Sequence, residues 1–245
     1  PSNNKYFFVK NNQYSVFFKA FYQKIINNKD LLTVDNISSY IKFSYENFLK
    51  YNLNSEVIYE TNKIIDEIFK EIYNVKQDIL VVLEKILNQE SFLSTHSLLV
   101  AYVIRTVDQK LTLSDYKNLI TAAIFHDFKN SNDDEEKKIF INNPSKSFKN
   151  HTTDVLNLLK KIQISNPIIE QIVENHHELP NQSGLLKKHE KELSYLDCLF
   201  IVCHYFSVKL YLEGLKNKKE IINNMKYIFN EGKFFKIMKN LEENI

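Results

Sequence analysis

The chain has few of the residues that interrupt helices, since its 245 residues include only 3 glycines and 4 prolines. So few breakers disfavour an all-β or tightly turned α/β fold and favour long helices. The shortage of glycine also excludes a Rossmann or P-loop phosphate site, because both need a glycine-rich turn that brings backbone N–H groups to the phosphate. The sequence therefore predicts a mainly α fold.

Cysteine, long apolar runs and excess charge are lacking as well. Cys198 and Cys203 form no zinc motif and are poorly placed for a disulfide, which fits a reducing cytoplasm. The apolar stretches Leu98–Ile104 and Leu199–Cys203 are far shorter than the ~20 residues of a membrane-spanning helix. The net charge is +2, and acidic and basic residues are interspersed along the chain. The sequence therefore lacks the clustered basic residues that are typical of proteins that bind a nucleic-acid polymer. A cytoplasmic protein without a membrane span is expected.

The first 75 residues differ from the rest, because they contain none of the seven histidines and are rich in Phe, Tyr and Asn. We assign residues 1–75 to an N-terminal regulatory or dimerisation region. This assignment is compatible with a homodimer. Within it, Lys5–Lys10 and Gln13–Phe18 could pair as a short hairpin, and the alternative is a helix from Tyr14 to Ile26. After this segment, the apolar residues up to residue 75 recur at helical intervals, which predicts further helices.

From residue 76 to residue 245 the pattern is helical throughout. Thr95–Val107 is apolar nearly all round, which predicts a buried central helix. Ser114-Asp115 is the expected N-cap of the next helix. Asn166-Pro167 is expected to open a helix that ends at His176-His177. A long apolar helix follows, from about Glu190 to Leu212.

Six of the seven histidines lie at the end or on the flank of an apolar helix, and one is followed directly by Asp127. The six are His96, His126, His151, His176, His177 and His204. Histidine is the commonest metal ligand. Adjacent residues on a regular helix diverge by about 100°, so the doublets His126-Asp127 and His176-His177 can each share a site only where a helix ends. His189, in a charged run, is expected to be exposed.

This series resembles the HD-GYP branch of the HD superfamily of metal-dependent phosphohydrolases. That branch carries His…His-Asp-x-Gly-Lys…His…His-His-Glu-x-x-Asp-Gly-x-Gly-Tyr-Pro, and then an Asp on the next long helix. The matching stretches are His96-Ser-Leu-Leu-Val, Ala-Ile-Phe-His126-Asp127-Phe-Lys-Asn, Asn150-His151, Glu-Asn-His176-His177-Glu178 and Asn181-Gln-Ser183-Gly184. The resemblance covers about residues 76–215 and implies an HD-type helical bundle.

The chain departs from the branch at four places. Lys129-Asn130 stands where the branch has Gly-Lys, and Gly184-Leu185-Leu186 stands where it has Gly-Tyr-Pro. The late Asp position aligns best with His204, and Asp197 is the competing candidate. Phe92 replaces the Glu of trinuclear members, which argues for two metal ions rather than three.

The resemblance implies a ligand set and a substrate shell. One ion would be held by His96, His126, Asp127 and His204, and the second by Asp127, His151, His176 and His177. Asp127 would bridge the two ions and serve catalysis. The set is rich in nitrogen, and two divalent ions, iron or manganese, are expected. Substrate contacts would come from Lys129, Asn130, Asn181, Ser183, Gly184 and Lys216.

Three functions follow as hypotheses. The first is a phosphodiesterase that cleaves cyclic di-GMP to pGpG or GMP. The second is a catalytically weak relative that senses a nucleotide or docks a partner such as a diguanylate cyclase. The third is an HD phosphohydrolase that acts on another nucleotide, such as cyclic GMP-AMP.

Overall fold

The structure is a computed structural model that describes residues 16, 19–20, 22–24, 33–48, 55–89, 91–128 and 151–245. No strand occurs among these residues, so the prediction of a mainly α fold is confirmed. Two short 3-10 turns, Glu190–Glu192 and Leu215–Asn217, flank the longest C-terminal helix. The α-helices with defined bounds are α1 (Val34–Phe48), α2 (Ser55–Tyr73), α3 (Ile79–Leu87), α4 (Phe92–Val107), α5 (Leu113–Phe125), α6 (His151–Lys161), α7 (Pro167–Asn175), α8 (Tyr195–Glu213), α9 (Lys218–Ile228) and α10 (Gly232–Asn244).

Helix α4 lies at the centre of the fold. Its residues are buried without interruption from Phe92 to Ile104 and again at Val107. A helix that is apolar on every side must be covered on every side, and α4 contacts α1, α2, α3, α5, α8 and α10. The predicted buried central helix is thus confirmed, and it carries His96 into the interior.

Helix α5 begins earlier than the sequence pattern predicts. Its N-cap is Thr112 rather than Ser114-Asp115. The Thr112 hydroxyl accepts a hydrogen bond from the Asp115 N–H (3.1 Å) and donates one to Asp115 Oδ2 (2.7 Å). This exchange satisfies one of the N–H groups that have no partner within the helix, and it places Asp115 inside the first turn.

Helix α7 begins as predicted, with Asn166 as N-cap and Pro167 in the first turn. The Asn166 side-chain oxygen accepts hydrogen bonds from the N–H groups of Ile168 and Ile169, both at 3.0 Å. Its amide nitrogen donates to Asn118 Oδ1 of α5, also at 3.0 Å. One side chain therefore caps α7 and ties it to α5.

We expect Asn166→Ala to lower the free energy of unfolding by about 1–2 kcal/mol, because loss of an N-cap of this type has that cost. Urea unfolding followed by circular dichroism measures the effect. Asn224→Ala, on the exposed side of α9, is the control and should stay within about 0.5 kcal/mol of the parent protein. Equal stabilities of the Asn166 and Asn224 variants would contradict the capping role.

The N-terminal prediction is tested only in part. Val16 and residues 19–20 and 22–24 are helical, which agrees with the helix over Tyr14–Ile26 and contradicts the second strand of the hairpin at Val16. The strand expected over Lys5–Lys10 lies outside the described residues. Helices α1 and α2 pack against α4, and α2 also contacts α5.

Helix α8 begins at Tyr195 rather than near Glu190, because Ser194 caps it and residues 190–192 form a separate 3-10 turn. In the described part of the chain, α8 alone is long and apolar enough to cross a membrane. Most of that apolar window is buried inside the fold, where α8 packs against α4, α7, α9 and α10. Its apolar character is therefore accounted for by its place in the core.

Candidate metal centre

The six predicted histidines and Asp127 converge from five helices onto one interior point. His96 lies on α4, and His126 and Asp127 follow the end of α5. His151 is the first residue of α6, His176 and His177 follow α7, and His204 lies on α8. Helices α4, α5 and α8 pack against one another, and α7 packs against α5 and α8. The fold therefore joins residues that are 108 positions apart in the sequence, from His96 to His204.

Both doublets stand where a helix ends, as predicted. His126 is the C-cap of α5, and the following turn is closed by a hydrogen bond from the Phe128 N–H to the Phe125 carbonyl (3.0 Å). His176 is the C-cap of α7, and the Glu178 N–H donates to the Asn175 carbonyl (2.8 Å). These tight turns let adjacent side chains face the same point, which a continuous helix would prevent.

The first ligand group contains His96, His126, Asp127 and His204. His96 Nε2 lies 3.0 Å from His126 Nε2. Asp127 Oδ2 lies 3.2 Å from His126 Nε2 and 3.7 Å from His96 Nε2. The His204 ring stands edge-on, with its centroid 4.8 Å from that of His96 and 5.1 Å from that of His126.

The second ligand group contains Asp127, His151, His176 and His177. His151 Nε2 and His176 Nε2 are 3.3 Å apart, and each lies 3.6 Å from Asp127 Oδ1. The His177 ring packs on His176 with a centroid separation of 3.9 Å. The two carboxylate oxygens of Asp127 thus face different groups. Within each group the potential ligand atoms lie within 4.8 Å of one another.

Backbone carbonyls fix the orientation of two of these rings. His126 Nδ1 lies 2.9 Å from the Ala123 carbonyl, and His176 Nδ1 lies 2.7 Å from the Val173 carbonyl. A carbonyl can only accept, so Nδ1 carries the proton in both rings. In the neutral imidazole the lone pair is then on Nε2, which is the atom that faces Asp127.

Burial favours the neutral form of four of the imidazoles, those of His96, His176, His177 and His204. It lowers the pKa of His96 to about 3, and the facing His126 adds to this effect. Burial likewise lowers the pKa of His176 to about 4 and that of His177 and His204 well below the usual value. Burial raises the pKa of Asp127, but a positive charge beside it, on His126 or His176, lowers that pKa well below its ordinary value, so the carboxylate favours a cation at this place. Neutral imidazoles around a charged carboxylate are the protonation states that bind a metal ion.

The donor set fits divalent metal ions. Neither carboxylate oxygen of Asp127 has a hydrogen-bond partner among the described residues, although Asp127 is only 1% exposed. An ionised carboxylate in such a place has a high desolvation cost unless a cation or hydrogen bonds compensate for it. Lone pairs on His126 Nε2 and His176 Nε2 face the same carboxylate, so a positive charge between them would relieve the repulsion. Six imidazoles with one carboxylate suit borderline transition metals rather than Mg²⁺ or Ca²⁺.

The structure places His204, rather than Asp197, beside the other candidate ligands. Asp197 Oδ2 accepts hydrogen bonds from the Ser194 N–H and hydroxyl, both at 2.7 Å, and from Gln171 Nε2 at 2.6 Å. The Asp197 N–H in turn donates to the Ser194 hydroxyl (3.1 Å), which completes a capping box at the start of α8. Asp197 therefore stabilises the N-terminus of α8.

The predicted substrate residues are placed unevenly. Asn181, Ser183 and Gly184 lie on the loop that follows His177, and Ser183 donates to Asn181 Oδ1 from both its N–H and its hydroxyl. Lys216 lies exposed in the turn beyond α8. About 14 Å of helix separates His204 from Glu213, the last residue of α8. Lys129 and Asn130 lie outside the described residues.

Two residues have roles that the sequence pattern did not assign. Glu178 is buried, and its carboxylate accepts hydrogen bonds from the N–H groups of Leu186 and Lys188. The signal was its place directly after the histidine pair. His189 is exposed, as expected, and its Nδ1 caps the 3-10 turn by accepting from the Lys191 N–H (3.1 Å).

Comparison with known proteins identifies the family. The sequence profile of the HD domain matches residues 93–222, a span that includes all seven ligand candidates and more than half of the chain. No curated protein sequence matches. Among solved structures, the fold is similar to that of Bd1817, an HDG"Y"P protein from Bdellovibrio bacteriovorus, with a TM-score of 0.65 and 17% sequence identity over 95% of this chain and 79% of that one.

At 17% identity this likeness concerns the fold. It confirms the predicted HD-type helical bundle. Family membership and the buried cluster together indicate divalent-metal binding. The chain belongs to the HD domain family, and hence to the superfamily of metal-dependent phosphohydrolases that its histidine series resembles.

Proposed function

We propose that the protein is a metal-dependent phosphodiesterase that hydrolyses cyclic di-GMP to pGpG or GMP through a dinuclear metal site. The observation that carries the proposal is the pair of ligand groups that share Asp127. One ion would be held by His96, His126, Asp127 and His204, and the other by Asp127, His151, His176 and His177. Iron or manganese fits this nitrogen-rich set.

When bound, two divalent ions activate water near neutral pH and polarise the phosphoryl oxygens of the substrate. The protein's own contribution is to fix the site before substrate arrives. Asp127 supplies the one negative charge common to both groups, and the carbonyls of Ala123 and Val173 hold the rings of His126 and His176. Side chains fixed in this way need little rearrangement during the reaction.

The substrate would contact residues outside the ligand set. Asn181 and Ser183 offer amide and hydroxyl groups on the exposed loop after His177. Lys129 or Asn130 would contact a non-bridging phosphoryl oxygen, and Lys216 would contact a distal part of the substrate. Loss of one charged contact to the transition state can reduce the rate by ~10²-fold, so the replacement of the branch's Gly-Lys by Lys129-Asn130 predicts slow turnover.

We also propose that residues 1–75 regulate the site or mediate dimerisation. Helices α1 and α2 pack against α4, and α4 carries His96. A displacement of these helices would therefore act on a helix that holds a ligand.

The direct test is cleavage of cyclic di-GMP by protein purified without oxygen and supplied with Mn²⁺ or Fe²⁺. We expect pGpG or GMP to accumulate, as followed by chromatography, and no turnover after metal removal with a chelator. Metal bound without turnover, but with cyclic di-GMP bound, would contradict hydrolysis and favour the nucleotide sensor. Cyclic GMP-AMP is assayed in parallel, and exclusive cleavage of that dinucleotide would reassign the substrate.

A further inference from the structure

A buried carboxylate joins the histidine pair to the loop that follows it. Glu178 is 1% exposed and comes directly after His177. Its Oε1 accepts a hydrogen bond from the Leu186 N–H (2.6 Å), and its Oε2 accepts one from the Lys188 N–H (2.7 Å). Both oxygens are thus committed to the backbone of one loop, residues 179–188.

The same loop touches the histidine pair a second time, at Gly184. A Cβ atom at this position would lie 2.5 Å from Glu178 Cα and 2.7 Å from the His177 carbonyl oxygen. Those are backbone atoms that cannot move aside without shifting the ligand segment. The loop therefore packs directly on the main chain of His177, and only glycine fits there.

A third contact fixes the end of the loop to α7. Lys188 Nζ donates to Asn175 Oδ1 (2.7 Å) and to Glu174 Oε2 (3.2 Å). Between these fixed points the tip is exposed, and it carries Asn181 and Ser183. Its conformation is set by the Glu178 carboxylate on the inside and by its own Asn181–Ser183 hydrogen bonds on the outside.

We infer that Glu178 is a positioning residue, which holds the loop of residues 179–188 against His177 so that Asn181 and Ser183 form one wall of the substrate site. The inference rests on the proposed function, because it assumes that a substrate binds at the metal centre. Glu178 itself contacts no substrate. It acts through two backbone hydrogen bonds, each stronger than an ordinary one because the acceptor is a carboxylate.

Glu178→Gln tests this role with little change in side-chain size, since the amide can accept from one of the two N–H groups but not from both. In the metal-loaded full chain we expect the Leu186 and Lys188 amides to exchange with deuterium about 10-fold faster or more. The KM for cyclic di-GMP should rise about 10-fold, with a smaller change in kcat and an unchanged metal content. Glu84→Gln, the same change at an exposed carboxylate of α3, is the matched control and should leave all four quantities unchanged.

Gly184→Ala provides a second route that leaves the carboxylate in place. The added methyl group should push the loop away from His177 and raise the KM for cyclic di-GMP, as Glu178→Gln does. Unchanged amide exchange in Glu178→Gln, or a fall in kcat at constant KM, would overturn the inference. The exchange measurement needs no substrate, so the inference can fail while the parent protein still cleaves cyclic di-GMP. Conversely, a parent protein that cleaves no cyclic dinucleotide disproves the proposed function. The role of Glu178 is then tested by the amide exchange of Leu186 and Lys188 alone.

Discussion

Asp127→Asn is expected to reduce the bound metal from about two ions per chain to one or none, and to abolish turnover. Asparagine keeps the size of the side chain but removes the one carboxylate that, in the part of the chain that the structure describes, belongs to both ligand groups. Loss of a residue that merely supports a ligand costs 10–100-fold in metal affinity, so loss of the shared ligand should cost at least ~10²-fold. Elemental analysis after desalting measures the metal content directly.

The same variant should change stability in opposite directions with and without metal. Without metal, the Asp127 carboxylate is a buried charge with no hydrogen-bond partner among the described residues, so Asp127→Asn should unfold no more easily than the parent protein. With Mn²⁺ at about 100 times its Kd, the parent protein should gain about 2.7 kcal/mol per ion. That gain raises the Tm by about 5–10 °C for a chain of this size. The variant should show little of this rise.

His189→Ala is the matched control, because it removes the one histidine that lies exposed and caps a 3-10 turn. It should retain the full metal content and the full thermal shift. An Asp127→Asn protein that keeps two ions, or a His189→Ala protein that loses them, would disprove the ligand assignment.

His204→Ala and Asp197→Asn should have separate effects. Removal of His204 leaves three ligands in the first group and should lower the metal content to about one ion per chain, with little loss of stability in the absence of metal. Asp197→Asn weakens the bonds from Ser194 and Gln171 to a buried carboxylate. It should lower the free energy of unfolding by about 1–3 kcal/mol and leave the metal content unchanged.

Paired elemental analysis and urea unfolding distinguish the two variants. The assignment is wrong if Asp197→Asn loses an ion while His204→Ala keeps both. His204→Asp adds a positive result to the comparison. A carboxylate at this position should restore the second ion and shift the metal preference toward Mn²⁺, since oxygen ligands favour harder cations.

The positions of the candidate ligands at helix ends could be predicted because their signals are local. His126-Asp127 and His176-His177 each follow a run of helical spacing and precede polar residues or a proline. Asn166-Pro167 is a strong helix-start signal with a stereochemical cause. The continuous apolar run of α4, residues 98–104, is typical of a buried helix. In each case the sequence within one or two helical turns determined the outcome.

The remaining features depend on contacts between distant residues. The alignment favours His204 over Asp197, but that Gln171, on another helix, donates to the Asp197 carboxylate could not be seen in the sequence. The role of Glu178 depends on backbone N–H groups 8 and 10 residues later in an irregular loop. The start of α5 was misplaced because Thr112, Ser114 and Asp115 are all good N-cap residues, and local preference alone does not rank them.

Anomalous X-ray scattering from Mn²⁺-loaded crystals is the sharpest test of a dinuclear site that shares Asp127. We expect two peaks, one on each side of the Asp127 carboxylate. One should lie among His96, His126 and His204, and the other among His151, His176 and His177. A single peak that lies away from Asp127 would contradict the shared site. So would the absence of any peak among these histidines in crystals where Mn²⁺ is fully occupied at another place.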